Sequence, residues 1–177
     1  ELTDIDTRKE QDLPKKDRML ERDDPRGLAM SLLTDDADRV NFEIVMSTTK
    51  DQIAIAPGYL QKEWEENDRK YFHYKMDQPI LPFFSRVSAQ YEVIRDVWAS
   101  PNGDDVKLEI YYHKGHEYNL DRMMKAMKKS FSYYDKNYSP YQYRQMRIME
   151  FPRYSSFAQS FANTVPFSEG IGFNLKV

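Results

Sequence analysis

Glu169 is the side chain in this sequence best placed to do chemistry. In Pro166-Phe167-Ser168-Glu169-Gly170-Ile171-Gly172-Phe173 a carboxylate stands among small and turn-forming residues. It gains little for folding in an irregular or strand context, and the glycines beside it permit close approach by another backbone. Glu169, with Ser168 and Gly170 flanking it, is therefore a candidate binding site, and a surface acid in a Gly-rich turn is the plain alternative. Its usual catalytic complement is missing: His73, His113 and His116 never form His-Glu-x-x-His, which puts two zinc ligands on one helix face with a general base beside them. His113, His116 and Glu117 carry metal-ligating atoms, but Gly115 lies among them between a strand and a helix. No rigid frame is expected there, and a solvated loop is the reading. His73, between Phe72 and Tyr74, reads as a satisfied or exposed sheet residue. No nucleophile and base arrangement is evident, so no catalytic residue and no metal ligand is assigned within the chain.

The elements that must position Glu169 follow from periodicity. Residues 1–40 are about half charged with scattered aliphatics, which predicts an irregular arm with one helical turn near Gly27 to Leu33. From Asn41 the period becomes two: Phe42, Ile44 and Met46 alternate with polar residues, then Ile53 and Ile55 precede a Pro57-Gly58 turn. Tyr59 to Glu65 and Lys70 to Met76 flank Asn67-Asp68 and predict a hairpin with Phe72, Tyr74 and Met76 on one face. Phe83 to Trp98 fits both periods and is read as a strand. The turn cluster Ser100 to Asp105 is the expected domain boundary.

Val106, Leu108, Ile110 and Tyr112 alternate as a strand. Leu120, Met123, Met124, Met127, Phe131 and Tyr134 recur at helical spacing, with Asn119 as cap and Asn137 and Pro140 as stop. Arg144 to Phe151 returns to strand with Met146 and Ile148 on one face. The fold class is α+β, an antiparallel β region (41–99) followed by an α/β unit (100–177).

Composition narrows the functions. At 177 residues and net charge −3 with both signs interspersed, the chain has no global field to attract nucleic acid or an anionic membrane. Arg122 to Arg147 is locally basic and aromatic, a mixture that can bind single strands, but the Met and Phe stripe reads as a helix core face and the lysines as its wet side. No nucleic-acid partner is expected. Absence of cysteine excludes disulfides and thiolate metal sites. No run of about 18 apolar residues is present to span a bilayer, and the acidic start has no signal-peptide pattern, so a soluble domain is the reading. A start without Met and a strand-like Phe173 to Val177 suggest a piece cut from a longer protein, with any anchor outside it.

Several stretches taken in order resemble one family. These are Met127-Lys128-Lys129-Ser130-Phe131-Ser132-Tyr133-Tyr134, then Pro140-Tyr141, then Met146-Arg147-Ile148-Met149-Glu150-Phe151-Pro152, then Ser168-Glu169-Gly170-Ile171-Gly172-Phe173. The order is similar to that of the membrane alanyl aminopeptidases, gluzincin zinc peptidases, in particular a bacterial subgroup fused to a transporter-permease-like membrane region. The likeness covers most of residues 36 to 177. Residues 41–99 resemble the end of that family's amino-terminal β domain, and 100–177 the first part of its thermolysin-like catalytic domain.

The resemblance implies that Glu169 occupies the motif glutamate that holds the free α-ammonium of a peptide by charge-assisted hydrogen bonds. It also implies a strand lying beside the substrate backbone and aligning the first peptide bond with a zinc-bound water. Pro166, Phe167 and Ser168 stand where the family has Gly, Ala and Met, and Gly170 where it has Asn. By the same resemblance the zinc ligands and a transition-state tyrosine fall after Val177. This chain is thus expected to hold no cofactor and to be inactive alone, with zinc, a peptide substrate, the remainder of the catalytic domain and a membrane anchor belonging to the parent. The alternative is a noncatalytic peptide-binding or interaction domain of a transporter-associated protein.

Overall fold

Positive φ at Asn67 (49°) and Asp68 (62°) makes a two-residue turn whose twist suits a hairpin. It joins β3 (Tyr59–Glu66) to β4 (Arg69–Lys75), and β1 (Glu43–Thr49) pairs antiparallel on the other side of β4. Phe72, Tyr74 and Met76 are all buried on the predicted face. The computed structural model describes residues 4–16, 20–30, 33, 37–101 and 103–174. Asn102 of the predicted turn cluster and Leu175 to Val177 of the predicted terminal strand lie outside the described residues.

The chain divides into two compact units, Glu1–Ala37 and Asp38–Val177. In the first, α1 (Ile5–Glu10) is capped by Asp4, whose Oδ1 accepts from the Thr7 amide at 2.8 Å, and α2 (Pro25–Ala29) by Asp24, which accepts from the Arg26 amide at 2.9 Å. The helical turn expected near 27–33 therefore starts earlier, because Asp24-Pro25 supplies both the cap and the preset φ. The helix α1 escaped periodicity because it buries no side chain.

In the second unit, Phe83 to Trp98 is two strands. β5 (Val87–Ala89) pairs with β2 (Ile53–Ile55), and β6 (Glu92–Trp98) pairs with β7 (Val106–Tyr112). The break has a physical cause: the Tyr91 amide bonds back to the Ala89 carbonyl at 2.9 Å, a tight turn that sends the two halves to different sheets. The turn around residues 100–105 joins β6 and β7 as antiparallel neighbours.

Beyond β7 the sheet becomes parallel. β8 (Gln145–Phe151) pairs parallel with β7, and β9 (Thr164–Ser168) parallel with β8, giving the order β6-β7-β8-β9. A parallel neighbour requires a crossover, and α3 (Leu120–Asn137) supplies it between β7 and β8. Leu120, Met124, Met127 and Phe131 of α3 are buried against Leu108, Ile110 and Ile148. Each such side chain contributes roughly 1.5–3 kcal/mol by leaving water. Tyr134, expected on that face, is 58% exposed. Asn119 precedes α3 but makes no side-chain cap bond there; its amide instead donates to the Gly172 carbonyl at 2.6 Å. The opposite face of the sheet buries Tyr111 and Met149 against Ile55, with Val87, Tyr91 and Val93 packed beside them.

Several buried phenols make this fold sensitive to alkali. Burial pushes Tyr74 up to about 12, and raises Tyr91, Tyr111 and Tyr141 as well. A phenol that keeps its proton better when folded than when unfolded contributes stability that is whole below about pH 10 and is lost as the pH climbs above it. Tyrosinate absorbance at 295 nm should therefore rise together with loss of β circular dichroism above that pH. Titration of every phenol of the chain with the sheet intact would contradict this burial.

Candidate functional site

The parallel strands β7, β8 and β9 all deliver their carboxyl ends to one edge of the sheet, where open sheets of this kind gather binding groups. The side chains that meet there are His116, Glu150 and Glu169. One donor atom from each lies within 4.8 Å of those of the other two.

Each arrives by a local device. After β7, the His116 amide bonds to the His113 carbonyl at 3.0 Å, closing a turn in which Gly115 takes φ +94°, the left-handed value demanded at the third position of such a turn. That turn folds His116 back toward the sheet. Glu150 is the penultimate residue of β8 and is fully buried. Its Oε2 accepts from the His113 amide at 2.6 Å, and its Oε1 is hydrogen-bonded to His116 Nδ1. The Glu150 carbonyl accepts from the Tyr91 hydroxyl at 2.7 Å, and burial with the nearby Glu150 charge raises the Tyr91 phenol well above its ordinary range.

Glu169 opens α4 (Glu169–Gly172), a single helical turn directly after β9. This corrects the irregular or strand context expected for it, and with it the strand-like reading of Phe173, which is the buried C-cap of α4. The reason is Ser168: its hydroxyl accepts from the Gly170 amide at 3.3 Å and turns the backbone out of the sheet. The same hydroxyl donates to the Ser155 carbonyl at 2.6 Å, so Ser168 is buried and doubly engaged. One Glu169 oxygen accepts from the Arg153 amide at 2.9 Å. Gly170 leaves room for the Arg153 stem, since a Cβ there would stand 3.3 Å from Arg153 Cγ.

The outer edge of β9 is already covered. The segment 157–161 folds back on it, with the Ser168 amide bonded to the Phe157 carbonyl at 3.0 Å and the Gln159 amide to the Pro166 carbonyl at 3.1 Å. The edge nearest Glu169 that is open to an extended chain therefore belongs to residues 157–161. Their alternate backbone groups, at Ala158 and Ser160, point away from β9, and the Ser160 carbonyl accepts from Gln159 Nε2 at 3.1 Å.

Of the residues singled out from sequence, Ser168, Glu169 and Gly170 lie together, and His116 joins them. Glu117 does not: its Oε1 accepts from the Gly115 amide at 2.9 Å. His73 pairs with Glu43 at 2.7 Å on the far three-stranded sheet. Glu150 was missed. A usable signal existed, because it continues the Met146 and Ile148 alternation and so places a carboxylate at a core-facing position.

A larger concavity, about 680 Å³, lies elsewhere, between α3 and β8. Met123, Met127, Phe131, Tyr141, Met146 and Phe167 line it. Its lining is mostly apolar and includes the carboxylate residue Asp135.

No protein-family model matches the sequence, and no curated protein matches it. Solved structures do. Aminopeptidase A of Legionella pneumophila, in complex with aspartic acid, superposes with TM-score 0.66 at 15% identity over 72% of this chain and 16% of its own. An M1 zinc metallopeptidase mutant of Deinococcus radiodurans, bound to a Tyr-Ser-Ala substrate, gives 0.64 at 13% identity over 73% of this chain and 30% of its own. A two-domain M1 zinc metallopeptidase mutant bound to L-arginine gives 0.67 at 12% identity over 76% and 31%. The chain thus shares the fold of part of these peptidases and spans between about a sixth and a third of their length. Among the described residues no helix is long and apolar enough to cross a membrane.

Proposed function

We propose that this chain is part of a zinc metallo-aminopeptidase and supplies the site that receives the amino terminus of a peptide. The observation that carries the reading is the convergence of two carboxylates, Glu150 and Glu169, at the carboxyl ends of β8 and β9. Acceptor oxygens so placed suit an α-ammonium group, which offers three donors and a positive charge. Glu169 is the ligand; Ser168 holds it at the start of α4, and Gly170 keeps the adjoining space open for the Arg153 stem. The open edge of residues 157–161 offers backbone groups to an extended substrate.

Residues 41–99 close the β domain in this reading and 100–177 open the catalytic domain. The zinc ligands belong to the parent, where the metal would polarise the scissile carbonyl and activate water. This chain's own contribution is binding and alignment, and alone it is inactive. The apolar groove between α3 and β8 is the seat of the remainder of the catalytic domain, because the chain spans only 16–31% of the similar structures and leaves that face uncovered. Attachment of the parent to a membrane through a transporter-like region is part of the same proposal.

The test is Glu169→Gln in an active parent enzyme. Loss of a charged hydrogen bond predicts a fall of roughly 10- to 100-fold in kcat/KM for free-amine peptides, with amino-blocked peptides unaffected. Equal kinetics for variant and parent with both substrate classes would remove Glu169 from amine recognition.

A further inference from the structure

We propose that His116, Glu150 and Glu169 bind one borderline divalent cation, of the Zn²⁺ or Mn²⁺ class. The first ground is geometric. One nitrogen donor and two carboxylate oxygens lie within 4.8 Å of one another, and coordination bonds of about 2.0–2.2 Å draw such donors together with small side-chain movements.

The second ground is charge. Glu150 is 0% exposed, and Glu169 brings a second carboxylate beside it. Among the described residues no lysine or arginine forms an ion pair with either; the basic group bonded to Glu150 is His116. Even a protonated imidazole would leave the trio with one net negative charge. Two carboxylates this close, one of them fully buried, raise each other's energy unless a cation or a proton is shared between them.

The third ground is support. Each carboxylate has one oxygen fixed by a backbone amide, Glu150 by His113 and Glu169 by Arg153. Backbone donors of this kind orient the carboxylates as ligands. The mixed imidazole and carboxylate set suits zinc or manganese, whereas calcium and magnesium take oxygen ligands. Three protein ligands leave a further position for water. Binding replaces the His116–Glu150 hydrogen bond with metal–ligand bonds, and any proton held on that pair is released to solvent.

The ion would join three segments that no disulfide ties together: the 113–116 turn, the end of β8 and the start of α4. The inference does not rest on the peptidase reading, since it needs only these three side chains. Should both hold, a metal ion and a substrate ammonium would exclude each other at Glu169.

The experiment is calorimetric titration of the full chain with ZnCl₂ and MnCl₂ near neutral pH, with melting temperature followed in parallel. One ion per chain is expected, with a rise in Tm that grows with metal concentration. His116→Gln and Glu169→Gln should each weaken binding by about tenfold or more, while His73→Gln leaves it unchanged. Circular dichroism of each variant verifies the fold, and the buried Glu150 is left intact. Absence of saturable binding, affinity in the His116 and Glu169 variants unchanged from that of the unsubstituted chain, or equal affinity for Ca²⁺ would overturn the assignment. No peptide enters this titration, so its failure and that of amine recognition are read separately.

Discussion

Arg147→Met should destabilise the second unit by about 3–5 kcal/mol, the cost of breaking a buried charged network by removing one partner. Arg147 lies in the middle of β8 and is 1% exposed. Its guanidinium donates to the Ala56 carbonyl at 2.8 Å, to the Gly58 carbonyl, and to Gln145 Oε1 at 3.1 Å. Its Nε lies 3.8 Å from Glu109 Oε2, and its plane stands 5.2 Å from the Tyr74 ring. Methionine replaces the stem but none of these donors. The Ala56 carbonyl would lose its guanidinium donor, and Glu109 a nearby positive charge. Urea denaturation followed by tryptophan fluorescence gives the change in midpoint at unchanged m-value. A loss below about 1 kcal/mol would mean that the buried carbonyls find other partners and that this arginine is a passenger in the core.

Gly58→Ala should cost about 3 kcal/mol or more, for two separable reasons. Gly58 takes φ +100°, where an L side chain is strained by roughly 1–2 kcal/mol. A Cβ there would also stand 2.7 Å from the Lys75 backbone carbon, which belongs to β4 and cannot move alone. Any shift would disturb the Gly58 amide, which donates to Asn163 Oδ1 at 3.1 Å, and the Gly58 carbonyl, which Arg147 and Asn163 both approach. Gly115→Ala is the internal control: its φ is +94°, but nothing lies within 4 Å of its Cβ position. It should show the backbone strain alone, about 1–2 kcal/mol. Equal losses at the two positions would show that the close approach to Lys75 relaxes without cost.

The hairpin and α3 were legible in the sequence because each carries its own signal. Asn67-Asp68 between alternating segments specifies a turn, and Leu120, Met124, Met127 and Phe131 specify a buried helix face. Phe83 to Trp98 reads as strand and is strand over Val87–Ala89 and Glu92–Trp98, but the Tyr91–Ala89 turn that breaks it in two leaves no mark on the period. Four residues of α4 are too few to show any period, so Ser168 as its cap was invisible among turn formers. The candidate site was half legible. Glu169 stood out by its small neighbours, but nothing in the spacing of His116, Glu150 and Glu169 links them; the parallel pairing of β7, β8 and β9 does. Strand partners are set by tertiary packing, which a local pattern does not encode.

The segment folded back on β9 has a further consequence, in how this chain behaves among its own copies. Residues 157–163 read Phe-Ala-Gln-Ser-Phe-Ala-Asn, without a charge or a proline. Among the described residues the outward backbone of Ala158 and Ser160 has no backbone partner. Sheet proteins usually guard such edges with lysine, proline or a covering loop, because unpaired strands template self-association. An edge left ready for a guest strand is ready for any guest, and the isolated chain carries that aggregation liability wherever no peptide or neighbouring segment covers it.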